Sequence, residues 1–204
     1  MTDSIPDIID HLAGITPGSK GAALRARRPV TKEGAQASWL ALFAPADASQ
    51  FPLAGRFAVA TFVATLHGQP EIAAFYAGEL EGKENGAALL AAVKAAAAYG
   101  KAKGPYGRYP AGPLSHEDQA QEDQDDPAFA VQAAEKAVLG ARLSAALEHA
   151  HLLIFHLRDA DPQALAGLIG AGWSTTGIVT LSQLVSFLTF QIRVIAGLRT
   201  LTAA

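Results

Sequence analysis

The chain contains no cysteine. That absence excludes disulfides, thiolate metal sites and thiol catalysis together, and it suits a reducing cytoplasm. Methionine is almost missing as well: Met1 is the only one, so no thioether stands in for a reactive sulfur. Charge of one sign is also lacking. A formal net charge of −3 on 204 residues, with no Lys/Arg stripe interleaved with aromatics, argues against nucleic acid as a partner. Arg25, Arg27 and Arg28 form a small basic cluster beside Pro29, which reads as solvated surface rather than a phosphate site. The start, MTDSIPDIID, has neither the basic nor the apolar region of a signal peptide.

Long uninterrupted apolar runs are scarce too. No charged residue occurs between Asp161 and Arg193, but Pro162 and GWSTTG (172–177) split that stretch and polar residues interrupt Ile178–Ile192. A spanning helix needs about 20 mostly apolar residues, so the expectation is a helix buried in a soluble bundle or an oligomer, with no membrane.

What the chain does have is helix-forming composition. Half of its residues are apolar, alanine is abundant and β-branched runs are few, which favours helix nearly throughout. Spacing predicts helices over Pro6–Leu12 with Ser4 as cap, over Lys32–Phe43 after Thr31, through RFAVATFVATLHG (56–68), after Gln69, and over Asn85–Lys101. The segment 56–68 is apolar almost all round and so belongs at the centre. Residues 104–126 break the pattern: PYGRYPAGP (105–113) resists regular helix, and HEDQAQEDQDD (116–126) sets six acids within ten residues. That run lacks the central glycine and alternating ligands of an EF-hand. Asp126–Pro127 has the form of an N-cap and first helical residue, opening a helix through Gly140 to about Leu157. Asp161–Pro162 repeats that start for a short helix, and Ser174 caps a last one to about Leu201. The fold class expected is all-α, a bundle of about seven to nine helices.

Reactive side chains are few. EHAHLLIFH (148–156) gathers three histidines. His149 and His156 lie about 10.5 Å apart along an ideal helix axis, too far for one metal. Glu148 and His151 form a Glu-x-x-His pair, but no second pair completes a di-iron site. Hydrogen-bonded histidines on a half-buried helix are the simpler reading, and neither a metal nor a cofactor is expected. No G-x-S-x-G elbow or phosphate loop occurs in a suitable context. Arg193 closes the uncharged stretch on a helix expected to be buried, and Arg56 heads the apolar helix. Buried arginines need partners, with Glu71, Glu79 and Glu148 available for ion pairs.

Two stretches carry a family resemblance. AGWSTTGIVTLSQLVSFLTFQIRVIAGL (171–198) is similar to the C-terminal pattern of the alkylhydroperoxidase D/carboxymuconolactone decarboxylase superfamily. RFAVATFVATLHGQPEIAAFY (56–76) resembles that family's core, in which an Arg-Glu pair leads an apolar helix into Cys-x-x-Cys-x-x-x-His. The similarity covers roughly residues 40–200, and some cysteine-free proteins of the family resemble this chain along its length, including YGRYPAGPL. In the peroxidases the first cysteine attacks the peroxide, the second resolves it, and histidine and glutamate move protons. On that pattern Arg56 matches the arginine, Phe57 replaces the glutamate, Gln69 and Ile72 replace the cysteines, and Tyr76 replaces the histidine. The decarboxylase branch keeps a histidine that Tyr76 also lacks.

The resemblance implies one alkylhydroperoxidase-like domain over 1–204, with 1–45 as an N-terminal helical extension and 46–204 as the core. It also implies a small-molecule cavity between the helices and a homo-oligomer (dimer, trimer or hexamer). Three functions then compete. The first is a non-thiol small-molecule binder or a non-catalytic companion of a peroxidase. The second is a non-thiol acid–base enzyme of the decarboxylase type, with His67 and Tyr76 moving protons and Arg56 or Arg193 holding a carboxylate; Glu71 joins these two arginines as a candidate binding residue. The third, hydroperoxide reduction, lacks a nucleophile.

Overall fold

A computed structural model describes residues 5–107, 111–113 and 128–203. Among these there is no strand. Nine α-helices follow one another: α1 (Ile8–Ala13), α2 (Lys20–Ala26), α3 (Pro29–Phe43), α4 (Leu53–Leu66), α5 (Pro70–Glu81), α6 (Gly86–Tyr99), α7 (Ala133–Phe155), α8 (Pro162–Gly170) and α9 (Thr175–Ala203). The all-α expectation holds. A single 3-10 turn, Leu157–Asp159, separates α7 from α8.

Helix α4 forms the centre, packed against α3, α5, α6, α7 and α9. Its residues 56–64 are all buried, as an apolar circumference requires. Gly68, at φ 66°, turns the chain from α4 into α5, a left-handed conformation that costs glycine little. Another tight approach occurs at Gly86, where a Cβ would fall 2.1 Å from the Leu80 carbonyl oxygen. Aromatic rings then tie three helices together. Phe43 of α3 stacks on Phe57 of α4 (centroids 5.0 Å apart) and on Tyr76 of α5 (5.2 Å). Such pairs add roughly 0.5–1.5 kcal/mol each beyond the area they bury.

Several helix starts and charge assignments differ from the sequence-based expectation. Ser4 lies outside the described residues; Asp7 caps α1, accepting from the Asp10 N–H at 2.7 Å. Helix α2 was not anticipated at all. Only seven residues long, it follows a Ser19 cap and turns Arg25 inward. Arg25 is therefore not solvated: its guanidinium donates to Asp7 (2.9 Å) and to Asp10 (2.9 Å) and fastens α2 to α1. Helix α3 begins three residues earlier than expected because Pro29 occupies its first turn, where a missing N–H is harmless. Asp126 and Pro127 lie outside the described residues, as does the acidic run; residues 128–132 are not helical, and α7 starts after Gln132. Gly140 breaks α7 with φ 71° and ψ 168°. The caps assigned to Asp161 and Ser174 are present, accepting from Ala164 N (2.8 Å) and Gly177 N (3.1 Å).

The split expected at GWSTTG is present: α8 ends at Gly170 and α9 begins at Thr175, after the Ser174 cap, and runs unbroken over 29 residues to Ala203, close to the end expected near Leu201. By length and composition alone, both α7 and α9 would suffice to cross a membrane. In the fold each lends one side to the core, including Leu147 and Ala150 from α7 and Leu184, Leu188 and Ile195 from α9.

The two arginines behave differently from the ion pairs expected. Arg56 is 4 % exposed, yet its hydrogen-bond partners are backbone. Its Nε donates to the Phe51 carbonyl at 2.7 Å, and Nη1 to the Leu42 carbonyl at 2.6 Å. Leu42 belongs to the last turn of α3, whose carbonyls have no partner within the helix. Arg56 thus caps one helix from the head of the next, where a cation also suits the negative end of the dipole. The adjoining turn is held from the other side. Trp173 meets the Phe51 ring edge-on at 4.8 Å, Arg142 donates to the Gln50 carbonyl, and Ser174 donates to Gln50 Oε1 at 2.6 Å. Arg193, by contrast, is exposed on α9.

Replacing Arg56 by lysine keeps the charge and loses the fork that reaches two carbonyls. Arg56→Lys is expected to lower stability by about 2 kcal/mol. Urea unfolding checks this as a lower midpoint at unchanged slope; an unmoved midpoint contradicts the capping role.

Candidate functional site

The positions matched to the redox motif do not form an open site. Gln69 precedes α5 and is half-buried. Ile72 and Tyr76 are completely buried and Phe57 nearly so. The Tyr76 hydroxyl points inward and donates to Gln191 Oε1 on α9 at 2.7 Å. Its ring lies between the Phe43 face and the Phe75 ring, the latter perpendicular at 5.1 Å. Burial pushes the Tyr76 pKa far above its ordinary value, with Gln191 and the nearby Trp39 indole opposing that only in part. A phenol held protonated in an apolar core does not serve as a base.

The other residues expected around Tyr76 disperse. His67 ends α4, half-buried, with Nε2 3.4 Å from Thr189 Oγ1. Burial lowers its pKa, and the Arg193 charge lowers it further. Arg193 itself borders a shallow surface groove with Thr189 and Phe190. Glu71 is largely exposed and pairs with Arg199 at 2.5 Å, not with Arg56 or Arg193. Glu148 accepts from the Val131 N–H at 3.0 Å, so it too is no partner for either arginine. His67 and Arg193 are brought near each other, while Tyr76 and Arg56 are each turned to separate, internal partners.

The histidine cluster fares better. A cavity of about 270 Å³ lies between α7, α8 and the segment before α7, lined by Phe129, Glu148, His149, His151, Leu152, His156, Asp159 and Leu168, with small residues between them. Helix geometry alone would hold His149 and His156 apart. The helix ends at Phe155, however, and His156 leaves it with φ −125° and ψ 34°, which brings its ring to 6.0 Å from that of His151. The sequence flagged these histidines; the change of direction at 156 had no readable signal except the end of apolar periodicity.

The hydrogen bonds assign part of the protonation. Nε2 of His151 lies 2.9 Å from the Gly100 carbonyl, which only accepts, so Nε2 carries the hydrogen. Its ring stacks on Phe129 at 4.6 Å. Nδ1 of His156 lies 3.2 Å from Asp159 Oδ2; a carboxylate also only accepts, so Nδ1–H donates and Nε2 of the neutral ring keeps its lone pair. Nε2 of His149 meets Ser182 Oγ at 3.0 Å. Two ring nitrogens, His149 Nδ1 and His156 Nε2, are buried without a hydrogen-bond partner. Among the described residues no three His, Asp or Glu side chains converge closely enough to hold a metal ion. The arrangement offers hydrogen bonds and proton exchange inside a mostly apolar space.

Compared with protein-family models, curated proteins and solved structures, the chain matches none.

Burial lowers the His149 pKa, so the folded protein resists protonation there. Above the unfolded value of about 6.5 the residue is neutral in both states and contributes nothing to pH dependence. As pH falls below that value the unfolded chain takes up a proton first, and stability declines until the depressed folded pKa is reached. Urea unfolding at about pH 7 and about pH 5.5 is expected to show this loss, with a smaller loss in His149→Gln. Equal losses in both proteins contradict the assignment.

Proposed function

We propose that the chain is a cysteine-free relative of the alkylhydroperoxidase D/carboxymuconolactone decarboxylase helical proteins that binds a small molecule without thiol chemistry, or accompanies an active peroxidase without catalysing. The observation that carries this reading is the inward hydrogen bond of Tyr76 to Gln191. At the position the family gives to its histidine, the chain places a structural phenol, and around it Phe57 and Ile72 fill the space with core. Peroxide chemistry needs a nucleophile that no residue here supplies. The lack of cysteine also favours a reducing cytoplasm as the setting.

Hydroperoxide consumption in the presence of dithiothreitol is expected to stay at the protein-free rate for both hydrogen peroxide and an organic hydroperoxide. In parallel, thermal melts against a panel of single-ring alcohols and acids are expected to find compounds that raise the melting temperature, since a ligand bound only by the folded state stabilises it. Sustained peroxide turnover overturns the reading, and a panel without any stabilising compound removes its small-molecule half.

The same reading places the chain in a homo-oligomer. Its support is the uncharged run from Pro162 to Ile192, which leaves Leu165, Ile169, Val179 and Phe190 exposed; an uncharged surface with large apolar side chains suits contact with a second copy. Sedimentation velocity is expected to give a dimer, trimer or hexamer that dissociates on Phe190→Glu. A monomer at every concentration removes this part of the proposal.

A further inference from the structure

Arg193 differs from the arginines that hold the fold together. Arg25 and Arg199 meet carboxylates, and Arg56 and Arg142 donate to backbone carbonyls. The Arg193 side chain is exposed on α9, with no hydrogen bond or ion pair among the described residues. It borders the groove, of about 560 Å³, that runs between the end of α7 and the middle of α9. That volume falls within the roughly 300–1,000 Å³ of small-molecule sites.

The groove is apolar apart from its arginine and two hydroxyls. Leu153 and Leu157 line it from the end of α7 and just beyond, and Val185, Phe190 and Val194 from α9. Leu157 is 60 % exposed and Phe190 40 %, so apolar surface there lies in water and a chain that covers it gains by burial. Val185 stands eight residues before Arg193, about 12 Å along the helix axis. That length suits an extended chain better than a compact ring. Thr189 precedes Arg193 by four residues and shares its face, setting a hydroxyl beside the guanidinium. An apolar strip with a guanidinium toward one end complements an apolar tail with a carboxylate head, which the arginine fork receives through two hydrogen bonds.

The Arg193 charge also acts inward. Burial first, and then Arg193, hold the His67 pKa below its ordinary value, and His67 Nε2 lies 3.4 Å from the Thr189 hydroxyl. An anion settled on Arg193 therefore changes the field at His67 as well.

We infer that this groove binds a free medium-chain carboxylate, whose head pairs with Arg193 beside Thr189 while its extended alkyl chain covers Leu153, Leu157, Val185 and Phe190. This deepens the small-molecule reading given above and rests on it. No bond of the ligand is broken.

The test uses the full chain labelled with 15N at backbone amides and histidine rings, titrated with octanoate, octylammonium and acetate at constant ionic strength. Octanoate is expected to bind with a dissociation constant of about 1 mM, shifting amides around Leu157 and from Val185 to Val194. Acetate, the head without the chain, is expected to be weaker by about tenfold or more. Octylammonium, the same chain with the opposite charge, is expected to be about fivefold weaker. Octanoate is expected to raise the His67 pKa, because a carboxylate on Arg193 offsets the charge that lowers it. Arg193→Gln, at an exposed position that folding tolerates, is expected to raise the His67 pKa without ligand and to bring octanoate and octylammonium to equal affinity.

Octylammonium or acetate binding the native chain as tightly as octanoate overturns the inference. So does an octanoate complex that leaves the His67 pKa unmoved, or a preference for octanoate that persists in Arg193→Gln. Saturable shifts confined to other parts of the fold, or none at all, overturn it too; ring compounds that stabilise the fold in thermal melts then leave the broader reading standing. Phe190 also serves the expected contact between copies, so a second copy is the rival occupant. The octanoate constant is expected to be the same at protein concentrations on either side of assembly. A constant that weakens as copies assemble assigns the groove to a second copy and overturns the inference.

Discussion

A helix with no polar face has to be enclosed on every side, and α4 is such a helix. Residues 56–64 are all buried, so α3, α5, α6, α7 and α9 are arranged around it and the remaining packing follows from that enclosure. The one charge in this stretch, Arg56, survives burial because it meets three backbone oxygens that would otherwise lack donors: Phe51, Leu42 and, at 3.5 Å, Ala41. Desolvation lowers its pKa, with Asp47 opposing that effect. An arginine nonetheless stays protonated under ordinary conditions. A carboxylate partner is unnecessary where helix-end carbonyls already present the negative end of a dipole.

Tyr76 shows how a position can keep its place in a pattern and change its role. It stands four residues after Ile72 and seven after Gln69, on the helix that lies directly against α4. There it joins α5 to α9 through Gln191 and to α3 through Phe43. Chemistry at such a point would require exposure, a neighbouring cation or a nucleophile. The chain supplies a closed aromatic stack.

Much of the architecture was legible from local rules. The Asp161–Pro162 and Ser174 starts, the encircled α4 and the all-helical class follow from capping chemistry and apolar periodicity, which act over a few residues. What escaped is long-range. Nothing near Arg25 in sequence announces that Asp7 and Asp10 will face it, since their meeting depends on how α1 and α2 fold over each other. The same holds for Arg56, whose partners are carbonyls and therefore carry no residue signature. The histidine cluster was visible as composition, but treating it as one straight helix separated His149 from His156. A single departure from helical dihedrals at 156 places both beside one cavity. Side-chain direction at a helix exit is decided by what packs there, and here that includes Asp159 and Tyr106.

The turn around Gln50 and Phe51 gathers contacts from stretches far apart in the chain: Arg56 from α4, Arg142 from α7, and Trp173 with Ser174 from the approach to α9. The Trp173 indole N–H also donates to the Arg142 carbonyl at 2.9 Å, and the Arg142 guanidinium lies 4.5 Å over the Trp173 ring. Together they close loops of chain that span well over a hundred residues, a cross-linking task that small extracellular domains often give to a disulfide. Because the link is made of rings, a guanidinium and carbonyls, no reductant can open it and no oxidant is needed to form it.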